Sequence, residues 1–149
     1  MSIVVDTNVL YQALRDQGGA SHYIFQLLRQ RALDLVVSVP VFLEYRDVLL
    51  RPQTLHDLKF TSEEIEAVLR FIAYIAKPTQ IHFLMRPHLR DENDNMFIDL
   101  AFASSSEFII TNNVRDFLHK AELTFDGFEI VTPSEFVKQW RRHHDNETK

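Results

Sequence analysis

Strand-like and helix-like patterns alternate along this chain. It opens on a β-branched run, Ser2-Ile3-Val4-Val5, which reads as a buried strand and ends on Asp6, with Thr7 and Asn8 following as helix-capping types. Residues 7–16 and 20–31 read as two helices split by Gly18-Gly19. Leu33 to Val37 is a second strand, and Pro40 suits the first turn of a helix that runs to about Leu50 and is stopped by Arg51-Pro52. Thr61-Ser62-Glu63-Glu64 caps a further helix, whose apolar face is Ile65, Val68, Leu69, Ile72 and Ile75. Thr79 to Phe83 reads as a short strand after Lys77-Pro78, and a polar stretch over 86–93 leads into a helix from Asp94 to about Ser105. Glu107 to Thr111 is a strand, Asn113 to Leu118 a short helix, Phe128 to Val131 the last strand, and Pro133 to about Trp140 the last helix. The pattern predicts one domain over residues 1–140 and a frayed polar tail over 141–149.

Such alternation implies an α/β fold with a mostly parallel sheet covered on both faces. Successive strand tips then share one edge, where α/β sheets place their ligand sites. That edge gathers Asp6, the loop before Glu44, the first turn of the helix opened by Asp94, and the Thr111-Asn112-Asn113 turn. Distant acids converge there without any local spacing motif.

Composition narrows the chemistry. At 149 residues the chain can bury one full core, and 46% hydrophobic with 25% charged residues is ordinary for a globular protein. It contains no cysteine, which excludes disulfides and thiolate zinc sites and makes a cytoplasmic setting the default expectation. No apolar run is long enough to span a membrane, and the start lacks a basic region ahead of an apolar stretch, so no membrane partner and no signal peptide are expected. The formal charge of -5 argues against broad non-specific duplex binding. With three glycines there is no phosphate-cradling Gly-rich loop, and none of the seven histidines forms an i, i+4 zinc pair.

The acids remain. Carboxylates held within a few ångströms repel by roughly 4 kcal/mol per pair at an effective dielectric of about 20. A proton or a cation must neutralise such a group. All-oxygen donors suit Mg²⁺ or Mn²⁺, whose natural chemistry here is phosphodiester hydrolysis. Each acid alone has an ordinary explanation. Asp6 and Asp94 are well placed to cap helices, and Asp99 fits an exposed face. Glu44 is harder to dismiss, because it lies within the apolar run Val39 to Tyr45, where a free charge would be costly.

Four blocks taken in order resemble a PIN-domain nuclease: Val4-Val5-Asp6-Thr7-Asn8-Val9-Leu10, Ser38-Val39-Pro40-x-x-x-Glu44, Asp91-x-x-Asp94-Asn95-x-Phe97 and Ile110-Thr111-Asn112-Asn113-Val114-Arg115-Asp116-Phe117. The resemblance covers about residues 2 to 137 and leans toward the small bacterial proteins related to VapC-type toxins of toxin–antitoxin pairs. It implies a three-layer α/β/α sandwich, an acid cluster binding Mg²⁺ or Mn²⁺, and cleavage of single-stranded RNA. By motif match, Asp6, Glu44 and Asp94 carry over as metal ligands. The fourth acid of the pattern falls on Asn113, which is neutral, and Asp116 matches a recurrent family acid three residues on. Asn8 and Thr111 carry over as residues that orient the acids. Asp99 ranks below these, because five residues place it about 140° around the helix from Asp94. The resemblance also implies a homodimer and a cognate antitoxin in a groove between about Tyr11 and Leu50. Phe42, Tyr45, Phe71 and Tyr74 are the candidate dimer face.

Arg15, Arg46 and Arg86 are candidate backbone-phosphate contacts, with surface salt bridges as the ordinary alternative. Arg141-Arg142-His143-His144 reads as a solvated tail that could touch phosphate. The rival to the nuclease is a PIN-fold module that binds RNA or protein and cuts poorly, a reading fed by the neutral Asn113. A phosphatase-like hydrolase using Asp6 as nucleophile would need an acid two residues on, where Asn8 stands.

Overall fold

The computed structural model describes residues 1–81, 92–121 and 127–147. Its centre is Ile3-Val4-Val5 of β1 (Ser2–Val5), where three successive side chains are at most 1% exposed. A strand buried on both faces must be covered by helices on both sides, and these strands are. β2 (Asp34–Val37) and β4 (Phe108–Ile110) flank β1, while β3 (Lys77–Pro78) and β5 (Glu129–Val131) form the edges. The order is β3-β2-β1-β4-β5 and every pairing is parallel. The result is the expected α/β sandwich, with a five-stranded parallel sheet between helical layers.

Helices α1 (Thr7–Arg15) and α2 (Ala20–Arg29) connect β1 to β2, with the Gly18-Gly19 turn between them as expected. α3 (Val39–Leu49) starts with Pro40 in its first turn, and Ser38 Oγ accepts the Val41 N–H at 3.3 Å. Arg51-Pro52 does end α3, but Pro52 also opens α4 (Pro52–Leu58), a helix not expected from the sequence. A proline breaks one helix and is tolerated at the start of the next, so it marks a boundary without saying which side continues. α5 (Ser62–Ile75) carries the full capping box: Thr61 Oγ1 accepts from Glu64 N at 3.1 Å and Glu64 Oε1 accepts from Thr61 N at 3.0 Å.

The strand expected over Thr79–Phe83 is instead the two-residue β3 at Lys77–Pro78, starting two residues earlier, and residues 82 and 83 lie outside the described residues. Val36 and Val37 pair with Lys77 and Pro78, so the edge of β2 selected a register that local propensity did not. α6 (Glu92–Ser104) is buried all round its middle, where Phe97 to Ala101 are at most 2% exposed. α7 (Val114–Ala121) follows β4. α8 (Pro133–Glu147) opens on a second capping box, Thr132 with Glu135, at 3.1 Å in both directions. It runs past Trp140, through the residues expected to fray, and Trp140 stacks on His144 one turn later. Among the described residues no helix is long and apolar enough to cross a membrane.

Thr61→Ala removes one half of the α5 capping box. The expected cost is about 1 kcal/mol, read as a lower urea midpoint with an unchanged denaturant slope.

Candidate functional site

Strand order reverses between β1 and β4: the chain first builds leftward to β2 and β3, then returns to add β4 and β5 on the other side. In a parallel sheet the helices leaving these two strands diverge, and a crevice opens between the strand tips. Asp6 stands at the tip of β1 and Thr111 at the tip of β4. Asp6 N–H donates to the Ile110 carbonyl at 2.9 Å, continuing the ladder one residue past β1. Thr111 Oγ1 then donates to Asp6 Oδ2 at 2.6 Å. Both side chains are buried, Asp6 to 7% exposed and Thr111 to 0%. Asp6 is the N-cap residue of α1 by position, yet its carboxylate makes no side-chain cap. The ordinary explanation for an acid after a strand therefore fails here, because the carboxylate is turned to Thr111.

The turn after β4 is tied to the same place. Thr111 Oγ1 also accepts the Asn113 N–H at 3.0 Å, and Asn8 Oδ1 accepts the Asn112 N–H at 3.3 Å. Asp6, Asn8, Thr111 and Asn113, some 105 residues apart in sequence between Asp6 and Thr111, thus form one hydrogen-bonded unit. The other supporting group is Tyr45, on α3. Its hydroxyl donates to the carbonyl of Val5, the residue before Asp6, and its ring is fully buried. Burial, and next the charge of Asp6, push this hydroxyl above the usual tyrosine range. Tyr45 was expected on a dimer face with Phe42, Phe71 and Tyr74. It cannot serve there, because it is 0% exposed and packs against Phe97, with ring centroids 6.5 Å apart. Phe71 packs against Phe25, and Tyr74 is exposed beneath Arg31. The clue in the sequence was an aromatic with a polar tip beside the one acid of an apolar run.

Glu44 is half-buried on α3, one residue before Tyr45, so the bond that pins Tyr45 to β1 also fixes the turn carrying Glu44. Asp94 lies in the first turn of α6, a helix that packs on β1, β2, β4 and α3; its side chain lies outside the described residues. Asp99 is 2% exposed rather than on an open face, because α6 is enclosed on every side at that level. Asp116 is exposed in the first turn of α7, where its charge favours the helix dipole. Among the described residues no three His, Asp or Glu side chains are gathered as a metal site. Arg46 makes a two-pronged ion pair with Glu66 of α5, at 2.7 and 2.8 Å, and holds that carboxyl below the usual glutamate range. That pairing takes Arg46 out of the phosphate candidates; Arg86 lies outside the described residues. A cleft of about 520 Å³ lined by Met1, Phe108, Phe136 and Trp140 sits at the opposite end of the sheet, by the strand starts, and has no part in the rim.

A family model described as PIN domain matches residues 2–115. The chain belongs to the PIN domain family. Among solved structures, eight chains match. One is from the crystal structure of VapBC2 from Rickettsia felis bound to a DNA fragment from their promoter, with a TM-score of 0.61 at 13% identity, covering 89% of this chain and 98% of that one. At that identity the likeness concerns the fold. A search of curated proteins finds no match. The matched region of this PIN domain takes in Asp6, Glu44, Asp94, Thr111 and Asn113, and stops one residue short of Asp116.

Tyr45 gives the PIN domain a testable alkaline limit. A tyrosine held protonated in the fold contributes stability that is intact below the unfolded pKa of about 10 and is lost as pH rises beyond it. From about pH 10 upward, unfolding free energy should fall by about 1.4 kcal/mol per pH unit from this group. Tyr45→Phe should remove that component while costing about 1 kcal/mol at neutral pH. Urea melts of both proteins across pH 8–11 give the comparison, and parallel slopes would assign the alkaline loss elsewhere.

Proposed function

We propose that this PIN domain is a Mg²⁺- or Mn²⁺-dependent endoribonuclease that cleaves single-stranded RNA in the cytoplasm, and that it is the toxin of a toxin–antitoxin pair. The observation that carries this reading is the buried Asp6 carboxylate at the switch point, held from the neighbouring strand by Thr111. Family membership and the VapBC2 likeness support it. A cognate antitoxin and a homodimer belong to the same proposal.

The donor set fits a hard divalent ion: Asp6, Glu44 and Asp94 offer carboxylate oxygens only, in a chain without cysteine. Those three residues would hold the ion. When bound, it would supply charge stabilisation at the phosphodiester and lower the pKa of a water. Thr111 fixes the Asp6 carboxylate through its hydroxyl, and Asn113 N–H fixes the hydroxyl of Thr111 in turn. Asn8 holds the Asn112 amide, which closes the turn over the rim. Tyr45 keeps water from the underside of the site and sets the position of α3, hence of Glu44. Asp116 or Asn113 would complete the site through water. Hydrolysis by water leaves a 5′-phosphate and a 3′-hydroxyl.

Asn113 favours a second reading, a module that holds RNA or protein and cuts poorly. It stands exposed where the family pattern has an acid. One experiment separates the two: incubation of labelled single-stranded RNA with wild type, Asp6→Asn and Asp94→Asn, in Mn²⁺, Mg²⁺ or EDTA. Metal-dependent cutting by wild type that falls at least a hundredfold in both variants is the expected result. Cutting that persists in the variants would remove the acids from the mechanism. Thermal melts add an activity-independent readout. Mn²⁺ at a hundredfold excess over Kd should stabilise the wild type by about 2.7 kcal/mol and leave Asp6→Asn unmoved.

A further inference from the structure

Between the α1–α2 turn and α8 lies a polar cleft of about 340 Å³, walled by Gly19, His22 and Tyr23 on one side and by Ser134, Lys138 and Arg141 on the other. The whole chain carries 21 Asp+Glu against 16 Lys+Arg. Among the described residues that line this cleft there is nevertheless no acid. Ser134, Lys138 and Arg141 fall at i, i+4 and i+7 on α8, so one face of the helix presents them together. Both cations are exposed, and neither makes an ion pair among the described residues. The Arg141 guanidinium lies over the Tyr23 ring, 4.9 Å from its centroid. A cation–π contact of this kind restrains the charge without neutralising it. His22 is a fixed wall: Nδ1 is 3.0 Å from the Ala13 carbonyl and Nε2 is 2.9 Å from the Gln26 amide nitrogen. Asp16, just before the turn, is engaged with the Gly18 N–H at 3.0 Å.

One wall of the cleft, at Ser134 in the first turn of α8, lies near the rim. α8 starts two residues after β5 ends at Val131, and Thr111 N–H donates to the Val131 carbonyl at 2.9 Å. Two interstrand steps, β1 to β4 to β5, place the top of α8 about 10 Å from Asp6. An extended strand lying at the switch point would therefore meet this cleft next. Unpaired Lys and Arg beside hydroxyl and amide groups are the usual phosphate contacts.

We propose that this cleft binds a backbone phosphate of the RNA strand, with Lys138 and Arg141 as the contacting cations. The choice of RNA as the polyanion rests on the nuclease reading. The test is equilibrium binding of labelled single-stranded RNA in EDTA, where nothing is cut, across a range of salt. Wild type is compared with Lys138→Ala/Arg141→Ala, with Lys138→Ala/Arg141→Lys, and with Lys77→Ala, which removes a cation at the opposite sheet edge that is paired to Asp34. The double alanine variant should bind about tenfold more weakly. Its slope of log affinity against log salt should be shallower by about 0.7, the value for one neutralised phosphate on a single strand. Lys77→Ala should bind as wild type, and the variant keeping a lysine at 141 should recover much of the loss. Melting temperatures should stay level across the set. Double-alanine binding equal to wild type, or no RNA binding by wild type, would overturn the proposal. A wild type that cuts RNA while the double alanine variant binds normally would sink the cleft and leave the nuclease standing. Loss of binding in the double alanine variant, beside a wild type that binds RNA but never cuts it, would do the reverse.

Discussion

The hydrogen bond from Thr111 to Asp6 is the constraint around which the rest of the site is arranged. It joins the tips of the two strands where the sheet changes direction, and it does so with both side chains out of water. A buried carboxylate is tolerable only when its oxygens are engaged, so the bond decides where the Asp6 side chain can point. It also decides what the turn after β4 can do. The same hydroxyl takes the Asn113 N–H, and Asn8 takes the Asn112 N–H, so the turn is held down at both ends. Parallel pairing of β1 with β4 is the precondition, because only the register Val5 with Ile110 brings residues 6 and 111 side by side.

The helices are fastened to that edge by a second set of contacts, mostly aromatic. Tyr45 reaches from α3 to the Val5 carbonyl, Phe97 of α6 packs on Tyr45, and Phe117 of α7 packs on Phe97 at 6.3 Å between ring centroids. All three rings are fully or nearly fully buried. The elements that carry Glu44, Asp94 and Asp116 are therefore the ones bound into this aromatic row. Packing at this density resists small displacements, which suits a site whose chemistry would depend on the separation of charges. The outer ion pairs, Arg46 with Glu66 and Arg51 with Asp47, are exposed and contribute little by comparison.

Charge is distributed to complement this arrangement. The chain is acidic overall, yet α8 places Lys138 and Arg141 beside a cleft whose described lining holds no acid. A uniform negative surface would repel a polyanion, and a local basic face beside the rim offsets that repulsion. The larger apolar cleft lies at the far end of the sheet, away from the strand tips that carry Asp6 and Thr111.

Much of this was legible in the sequence, and for identifiable reasons. Strand and helix alternation, the turn at Gly18-Gly19, the capping box at Thr61 and the buried run before Asp6 all depend on nearest neighbours or on periodicity, which a linear pattern records. The ordered blocks around Asp6, Glu44, Asp94 and Thr111 carried the family. The errors share the opposite cause. β3 lies at Lys77–Pro78 because an open edge of β2 accepts it there, α4 exists because Pro52 can start a helix as well as stop one, and α8 continues through Arg141 because Trp140 and His144 stack along it. Tyr45 looked like a surface aromatic until α3 was laid against β1, and Asp99 looked exposed until α6 was enclosed. Local chemistry determined which segments are strands and helices and which residues bear charge. Only the packed structure decided which side chains face one another, because contacts between residues a hundred positions apart are set by burial and register that no short stretch of sequence contains.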